Sequence, residues 1–208
     1  MNLFITYLWR EPRVFFTVAL LVIFSVTCHE FCHAWCALKF GDTTAADAGH
    51  LTFNPFRQMG IFSLLMLLLV GFCWGSVPVD PARMRGRFAP ACVAAAGPLT
   101  NLALAFLFTL LGYIAFKAGA HEFACGMLLY GAELNFVLFV FNMLPVPGLD
   151  GFAILRTFFP RFLTNSSEAV RGALFVLIAL ALAFVGRLFE LGRFVSGALL
   201  ILLERVFG

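Results

Sequence analysis

The chain has 208 residues, of which 62% are hydrophobic and only 12% are charged. A soluble domain has about 45–50% apolar and about 25% charged residues, so this composition excludes a water-soluble globular protein. The net charge of +3 is small and is spread through the loops, so no nucleic-acid partner is expected. The sequence therefore predicts a polytopic membrane protein, folded as a single domain over residues 1–208.

Apolar stretches of helical length follow one another along the chain. A helix needs about 20 apolar residues to cross about 30 Å of hydrocarbon. Four stretches meet this length, at residues 14–38, 88–116, 123–144 and 169–185. A fifth, at residues 194–207, is shorter and contains Glu204, and we expect it to complete a final hairpin. The predicted fold is an all-α polytopic membrane protein with about five transmembrane helices.

The stretch at residues 60–75 is apolar but short for a crossing. As a helix it would reach only about 24 Å, which is typical of a re-entrant or interfacial element. A polar loop at residues 41–58 precedes it, and the sequence Ser76-Val77-Pro78-Val79-Asp80-Pro81 follows it. The prolines predict an extended conformation there, as a small β-segment or a sheet edge.

The first apolar stretch contains His29-Glu30-Phe31-Cys32-His33, which matches the pattern His-Glu-x-x-His. Side chains four residues apart project from nearly one face of a helix, so His29 and His33 can bind one Zn²⁺ at about 2.0–2.1 Å. Glu30 lies beside that face and can act as general base towards a water activated by the metal. Ionisable residues inside an apolar span are costly to bury, which favours this interpretation over a polar cluster that ties helices together.

A catalytic zinc has three protein ligands and one open position, so a third ligand is expected. The residues able to supply it are Asp42, Asp47, His50, Asp80, His121, Glu133 and Asp150. Asp150 is favoured because the run from Asn142 to Gly151 contains two prolines and two glycines, which prevent a regular helix. Unwound backbone at membrane depth is tolerated only inside protein or beside a wet cavity. His50 is the alternative.

With these motifs the chain resembles the site-2 protease family of intramembrane zinc metalloproteases, most closely its small prokaryotic branch without a regulatory domain. That family pairs His-Glu-x-x-His in one transmembrane helix with Asn-x-x-Pro-x-x-x-Leu-Asp-Gly in a later one, and both patterns are present here. Further motifs follow in the expected order across residues 14–155: Gly41-Asp42-Thr43-Thr44-Ala45, Leu51-Thr52-Phe53-Asn54-Pro55, Val77-Pro78-Val79 and Ala96-Gly97-Pro98-Leu99-Thr100-Asn101.

The resemblance implies one Zn²⁺ per chain, with His29, His33 and Asp150 as ligands and Glu30 as the catalytic base. It also implies that Asn142 lies near the substrate backbone.

Three positions depart from the family pattern. Arg57-Gln58-Met59 stands where relatives often have a His-x-Asp pair, Gly148 where a second proline is usual, and His50 where an arginine is common. These departures concern substrate access and regulation and do not affect the metal chemistry.

Other polar residues in the apolar stretches have two interpretations each. Asn54 and Asn101 are predicted either to donate hydrogen bonds to a substrate carbonyl or developing oxyanion, or to satisfy broken backbone. Glu133 is predicted to form a helix-to-helix hydrogen bond, with a role in a polar cavity as the alternative. Three cysteines with helical spacing are predicted to form a packed apolar stripe rather than part of a disulfide framework: Cys28, Cys32 and Cys36.

The metal ligands must lie at one depth, so the chain must cross the membrane an even number of times between residues 38 and 150. The stretches at 88–116 and 123–144 supply two crossings, and 60–75 is therefore predicted not to cross. Of the Lys and Arg residues, nine then fall on the active-site side: Lys39, Arg57, Arg83, Arg85, Arg87, Arg156, Arg161, Arg171 and Arg205. Five fall on the other side: Arg10, Arg13, Lys117, Arg187 and Arg193. This excess predicts an active site that faces the cytoplasm.

The sequence therefore predicts an intramembrane zinc endopeptidase of the cell membrane, whose partners are the lipid bilayer and a membrane-protein substrate. Two alternatives remain. A membrane metal transporter would distribute His and Asp residues along a path, and a non-catalytic zinc-binding membrane scaffold would tolerate the loss of Glu30. The sequence carries no indication of an oligomeric state.

Overall fold

The computed structural model describes residues 3–160, 172, 176, 177, 179 and 183–207, and these residues are mainly helical. They contain no β-strand, so the small β-segment stays a prediction. The chain divides into two compact units, Met1–Arg85 and Gly86–Gly208, which are described separately below. The single domain over residues 1–208 also stays a prediction.

The first unit contains five α-helices and two short 3-10 helices among the described residues. The α-helices are α1 (Tyr7–Arg10), α2 (Pro12–Lys39), α3 (Thr44–Asp47), α4 (Pro55–Gln58) and α5 (Gly60–Val70), and the 3-10 helices are Phe4–Thr6 and Pro81–Arg83. The described part of the second unit has the helices α6 (Ala89–Lys117), α7 (Glu122–Asn142), α8 (Asp150–Phe158) and α9 (Val185–Phe207).

Three of these helices, α2, α6 and α7, are long and apolar enough to cross a membrane. Their bounds differ by at most two residues from those predicted from the sequence. The predicted span at 169–185 lies largely outside the described residues. The structure thus supports an all-α membrane protein, while the number of five spans stays a prediction.

Helix α2, which carries the His-Glu-x-x-His motif, has well-defined ends. Pro12 stands at its first position, where the missing N–H costs no hydrogen bond. After Lys39 the chain turns at Gly41, whose φ of +96° is a left-handed conformation that glycine adopts without strain. The Gly41 N–H donates to Leu38 O at 3.0 Å, and the Asp42 N–H donates to Ala37 O at 3.0 Å. These two bonds form a Schellman motif, which fixes Asp42 relative to the last turn of the helix.

Helix α5 is shorter than the predicted apolar element at residues 60–75. It ends at Val70 because Gly71 takes a left-handed conformation with φ of +87°. Eleven residues span about 16 Å as a helix, well short of about 30 Å of hydrocarbon. The short helix agrees with the prediction of an element that does not cross.

In the second unit, polar side chains and small residues join the long helices. Asn101 of α6 donates from Nδ2 to Asn135 Oδ1 of α7 at 3.0 Å, and both side chains are fully buried. Gly192 of α9 faces α7 so closely that an added Cβ would lie 3.3 Å from the backbone of Glu133. Arg193 donates from Nε to Glu133 Oε1 at 3.3 Å, which confirms the helix-to-helix hydrogen bond predicted for Glu133. Such contacts are typical of helix packing in membranes.

Helix α9 is longer than the element predicted at residues 194–207, while the final hairpin stays a prediction because its first arm lies largely outside the described residues. The helix begins at Val185, and its charged residues are paired: Arg187 with Glu190 of the same helix at 2.8 Å, and Arg193 with Glu133 of α7. Lys117 at the end of α6 pairs with Glu204 at 2.7 Å. Arg205 therefore lies at the same end of this unit as Lys117, and the prediction that put them on opposite sides is wrong.

Candidate active site

The first unit brings the two histidines of the motif together. His29, Glu30 and His33 are only 7–8% exposed, and the two Nε2 atoms lie 3.0 Å apart. Two nitrogens bound at 2.0–2.1 Å to one tetrahedral ion would be about 3.3 Å apart. A direct hydrogen bond between neutral rings also fits this separation. The pair thus has the spacing, burial and donor chemistry that Zn²⁺ requires of two ligands.

Glu30 lies against a non-helical stretch of the same unit, residues 72–80, which we call segment 72–80. A Cβ atom added to Gly75 would overlap the Glu30 carboxylate, so the Cα of this glycine packs directly on the predicted catalytic base. Any larger residue at position 75 would force the carboxylate to move. Gly75 thereby fixes where segment 72–80 passes the motif.

The backbone of segment 72–80 is anchored at alternate residues. Ser63 Oγ accepts from the Trp74 N–H at 2.8 Å and donates to Trp74 O at 2.6 Å, and the Ser76 N–H donates to Gln58 O at 3.0 Å. Backbone groups of alternate residues point to opposite edges of an extended chain. This pattern agrees with the extended conformation predicted from the prolines. It leaves the backbone of Gly75 and Val77 on the opposite edge, where the structure shows no hydrogen bond to a described residue.

Asp150 lies in the second unit, at the end of the predicted helix break. Helix α7 ends at Asn142 and α8 begins at Asp150, so the predicted helix break between these two residues is confirmed. Val146 in the middle of the break is fully buried, whereas Met143, Pro145, Pro147 and Gly148 are exposed. Asp150 is half-buried in the first turn of α8, where the helix dipole favours a negative charge.

Gly151 is required for this turn of the backbone. A Cβ atom added there would overlap the carbonyl oxygens of Met143 and Leu144, which are backbone atoms that cannot rotate away. Gly151→Ala is therefore expected to lower the free energy of unfolding by about 1–3 kcal/mol and to displace Asp150. SDS titration of the purified protein measures the first effect and the zinc content the second. Gly126→Ala is the matched control, since its Cβ would meet nothing within 4 Å. Equal stability and zinc content in the two variants would contradict this account.

The three asparagines with predicted substrate roles have different surroundings. Asn142 is partly buried at the end of α7, and its Nδ2 donates to Leu138 O at 3.0 Å. Asn54 accepts from the Phe56 N–H at 3.0 Å and caps α4, and Asn101 donates to Asn135. The contact of Asn54 matches the second interpretation, in which these residues satisfy backbone groups, whereas the contact of Asn101 is with the side chain of Asn135 and matches neither interpretation. None of these contacts tests a substrate role.

His50, the alternative third ligand, contacts Gln58. The two side chains approach at 3.3 Å, and Gln58 Nε2 donates to both His50 O and Thr52 O at 2.7 Å. Neither this contact nor the position of Asp150 at the start of α8 tests which residue is the third ligand, so both assignments stay predictions.

Sequence reasoning missed the roles of Ser63, Gln58 and Gly75. Ser63 and Trp74 are 11 residues apart in the chain, and no local pattern identifies such pairs. The one available signal was the polar residue Ser63 inside the otherwise apolar helix α5.

Comparisons with known proteins identify relatives of this chain. The sequence profile of peptidase family M50 matches residues 16–127. The chain is 39% identical over 151 residues to the Bacillus subtilis protein named "Putative zinc metalloprotease YwhC". This match covers 67% of this chain and 67% of the relative. It is 35% identical over 158 residues to a protein of the same description, Rip2 of Mycolicibacterium smegmatis, covering 70% of this chain and 60% of that one. Rip2 of Mycobacterium tuberculosis H37Rv is 32% identical over 186 residues, covering 84% of this chain and 70% of its own. No solved structure gives a significant match.

Proposed function

Since the chain belongs to peptidase family M50 and is a zinc metalloprotease, we propose that it cleaves peptide bonds within or next to the transmembrane segments of membrane-protein substrates. The observation that carries this proposal is the burial of His29, Glu30 and His33 in an apolar helix long enough to cross a bilayer. Ionisable groups at that depth are costly and mark functional sites. The peptide bond must therefore reach them inside the membrane or at its edge.

His29, His33 and Asp150 are proposed as the ligands of one zinc ion per chain. Two imidazoles and a carboxylate offer one ligand atom each, the number that a catalytic zinc takes from its protein. The spacing of the two Nε2 atoms and the names of the relatives support zinc. When bound, zinc supplies Lewis acidity, which activates water and polarises a peptide carbonyl.

Glu30 is the proposed general base. Its carboxylate accepts the proton of the attacking water and can return it to the leaving amine. Burial beside Gly75 keeps the carboxylate in one place and limits competing contacts with bulk water. Asn142 is proposed to donate a hydrogen bond to the negative charge that develops on the carbonyl oxygen. Asn54 and Asn101 are proposed to support that arrangement through their caps and helix contacts.

Segment 72–80 is the proposed binding element for the substrate backbone. A transmembrane helix hides its peptide carbonyls in hydrogen bonds, so the substrate must unwind before cleavage. An extended edge pairs with an unwound chain by strand addition. The edge at Gly75 and Val77 is suited to this because Gly75 packs on Glu30. The pairing would complete the β-segment predicted from the sequence.

The active site is proposed to face the cytoplasm of a cell membrane. With Arg205 placed on the side opposite the active site, the charge count is the same. Arg187 lies at the other end of α9 and is therefore placed on the active-site side. The excess of nine positive residues over five therefore stands as the support for this orientation.

The proposal is tested with zinc-loaded protein in liposomes that also contain single-span model substrates. We expect cleavage inside or near the span, located by mass spectrometry of the fragments. A chelator should abolish cleavage, and added Zn²⁺ should restore it, because the activity needs the ion. A soluble peptide of the same sequence is the control for whether the substrate must lie in the membrane, and it should be cleaved more slowly. Absence of cleavage in every membrane substrate, with one zinc bound per chain, would refute the proposal.

A further inference from the structure

Asp42 is a fully buried acidic residue that the proposed chemistry does not use. It lies in the turn that follows α2, outside the three apolar spans. A buried carboxylate is expensive unless its oxygens accept hydrogen bonds. Its contacts therefore indicate what it does.

The carboxylate of Asp42 joins two distant parts of the first unit. Oδ1 accepts from the N–H of Thr44 at 3.0 Å and from its hydroxyl at 2.5 Å. Oδ2 accepts from the backbone N–H of Asp80 at 2.7 Å, across 38 residues of sequence. Burial alone would raise the pKa of Asp42, but these hydrogen bonds and nearby Arg83 outweigh it and hold the pKa below its usual value. The group is thus a charged acceptor over the whole neutral range.

The bond to Asp80 completes the anchoring of segment 72–80. Trp74 and Ser76 are held by Ser63 and Gln58, and Asp80 is the third even-numbered residue held on the same edge. Pro78, which lies between them, has no N–H to donate. Because alternate residues of an extended chain point to opposite edges, these three anchors direct the odd-numbered residues to the other edge. The Schellman motif fixes Asp42 to the end of the helix that carries Glu30.

We infer that Asp42 is a positioning residue for substrate, which aligns the far end of segment 72–80 with the helix that carries the catalytic base. The inference rests on the proposed function, since it assigns Asp42 to the binding of an extended substrate. The anchors at Trp74 and Ser76 lie next to Gly75 and Glu30, whereas Asp80 lies several residues further on. Asp42 therefore acts on substrate binding more than on the chemical step.

Asp42→Asn tests this, because the amide keeps the shape of the side chain but has one acceptor oxygen. Its NH2 group must face either the Asp80 N–H or the two Thr44 donors, so one contact turns from attraction to repulsion. We expect KM to rise about tenfold while kcat stays within about threefold, the pattern of lost substrate binding. Zinc content and helix content should equal those of wild type.

Asp47→Asn is the matched control. Asp47 is an exposed residue whose Oδ2 accepts from Thr43 Oγ1 at 2.8 Å within the same turn, and the variant should leave KM unchanged. Equal KM values for the two variants would overturn the inference. So would a loss of kcat in Asp42→Asn that follows its loss of zinc, since that indicates a purely structural role.

A measurement on wild type covers the case in which Asp42→Asn does not fold. Amide hydrogen exchange, resolved by residue, should show the N–H of Asp80 as protected as that of Ser76, with Val77 and Val79 exchanging faster. Fast exchange at Asp80 would overturn the link to Asp42. If the wild-type protein cleaves no membrane substrate, the proposed function fails. Hydrogen exchange at Asp80 can still be measured in that case, so failure of the proposed function is distinguished from failure of the inference about Asp42.

Discussion

Glu30→Gln is expected to lower kcat by about 10²- to 10⁴-fold, the usual contribution of a general base. Glutamine has the shape of glutamate and fits the same space beside Gly75, but its amide cannot accept the proton of the attacking water. The two histidines are unchanged, so zinc should remain at one ion per chain. The measurement is cleavage of a model transmembrane substrate, with zinc determined on the same preparation.

Glu133→Gln is the control for this prediction, because Glu133 is also a buried carboxylate in an apolar helix. Its carboxylate pairs with Arg193, so the variant should weaken the packing of α7 and α9 and leave kcat nearly unchanged. Unchanged cleavage by Glu30→Gln would remove Glu30 from the mechanism. That result would favour the zinc-bound scaffold, the alternative in which this glutamate is dispensable.

Asp150→Ala is expected to lower zinc affinity by more than about 100-fold. Loss of a residue that only orients a ligand already costs about 10–100-fold, and loss of a ligand should cost more. Cleavage should fall in proportion to the zinc content at limiting zinc. Competition with a chromophoric chelator measures the affinity, and elemental analysis gives the stoichiometry.

His50→Ala is the matched variant, since His50 was the other candidate for the third ligand. Its ring contacts Gln58, so we expect a modest loss of stability and no loss of zinc. The opposite outcome, with zinc lost in His50→Ala and kept in Asp150→Ala, would assign the third position to His50.

The long helices and the two histidines could be predicted from the sequence because their signals are local. Apolar length gives the three spans, and the four-residue spacing puts His29 and His33 on one face whatever the rest of the fold does. The break before Asp150 is equally local, since prolines and glycines act on their own neighbours.

The course of α9 could not be predicted, because it depends on tertiary contacts. Arg187, Glu190 and Arg193 interrupt the apolar pattern just before residue 194, where the predicted element begins. Glu133, 60 residues away in the chain, pairs with Arg193, and buried Gly192 lets the helix approach α7. These partners allow charged residues to remain in a continuous helix.

The hydrogen bonds that anchor segment 72–80 also depend on tertiary contacts and could not be predicted from the sequence. The sequence indicates Asp42 as a candidate metal ligand, yet its carboxylate accepts hydrogen bonds from Thr44 and Asp80. Nothing near Asp42 in the sequence points to residue 80. Gly75 likewise has no distinctive sequence context, and its contact with Glu30 depends on how the chain returns to α2.

The zinc K-edge X-ray absorption spectrum of the purified protein tests the central claim most directly. We expect two imidazole nitrogens and carboxylate and water oxygens at about 2.0–2.1 Å, with the carboxylate contribution lost in Asp150→Ala. Cys28 and Cys32 each precede a histidine of the motif, so a thiolate site is the clear competitor. A sulfur shell at about 2.3 Å, or a spectrum that Asp150→Ala leaves unchanged, would contradict the account.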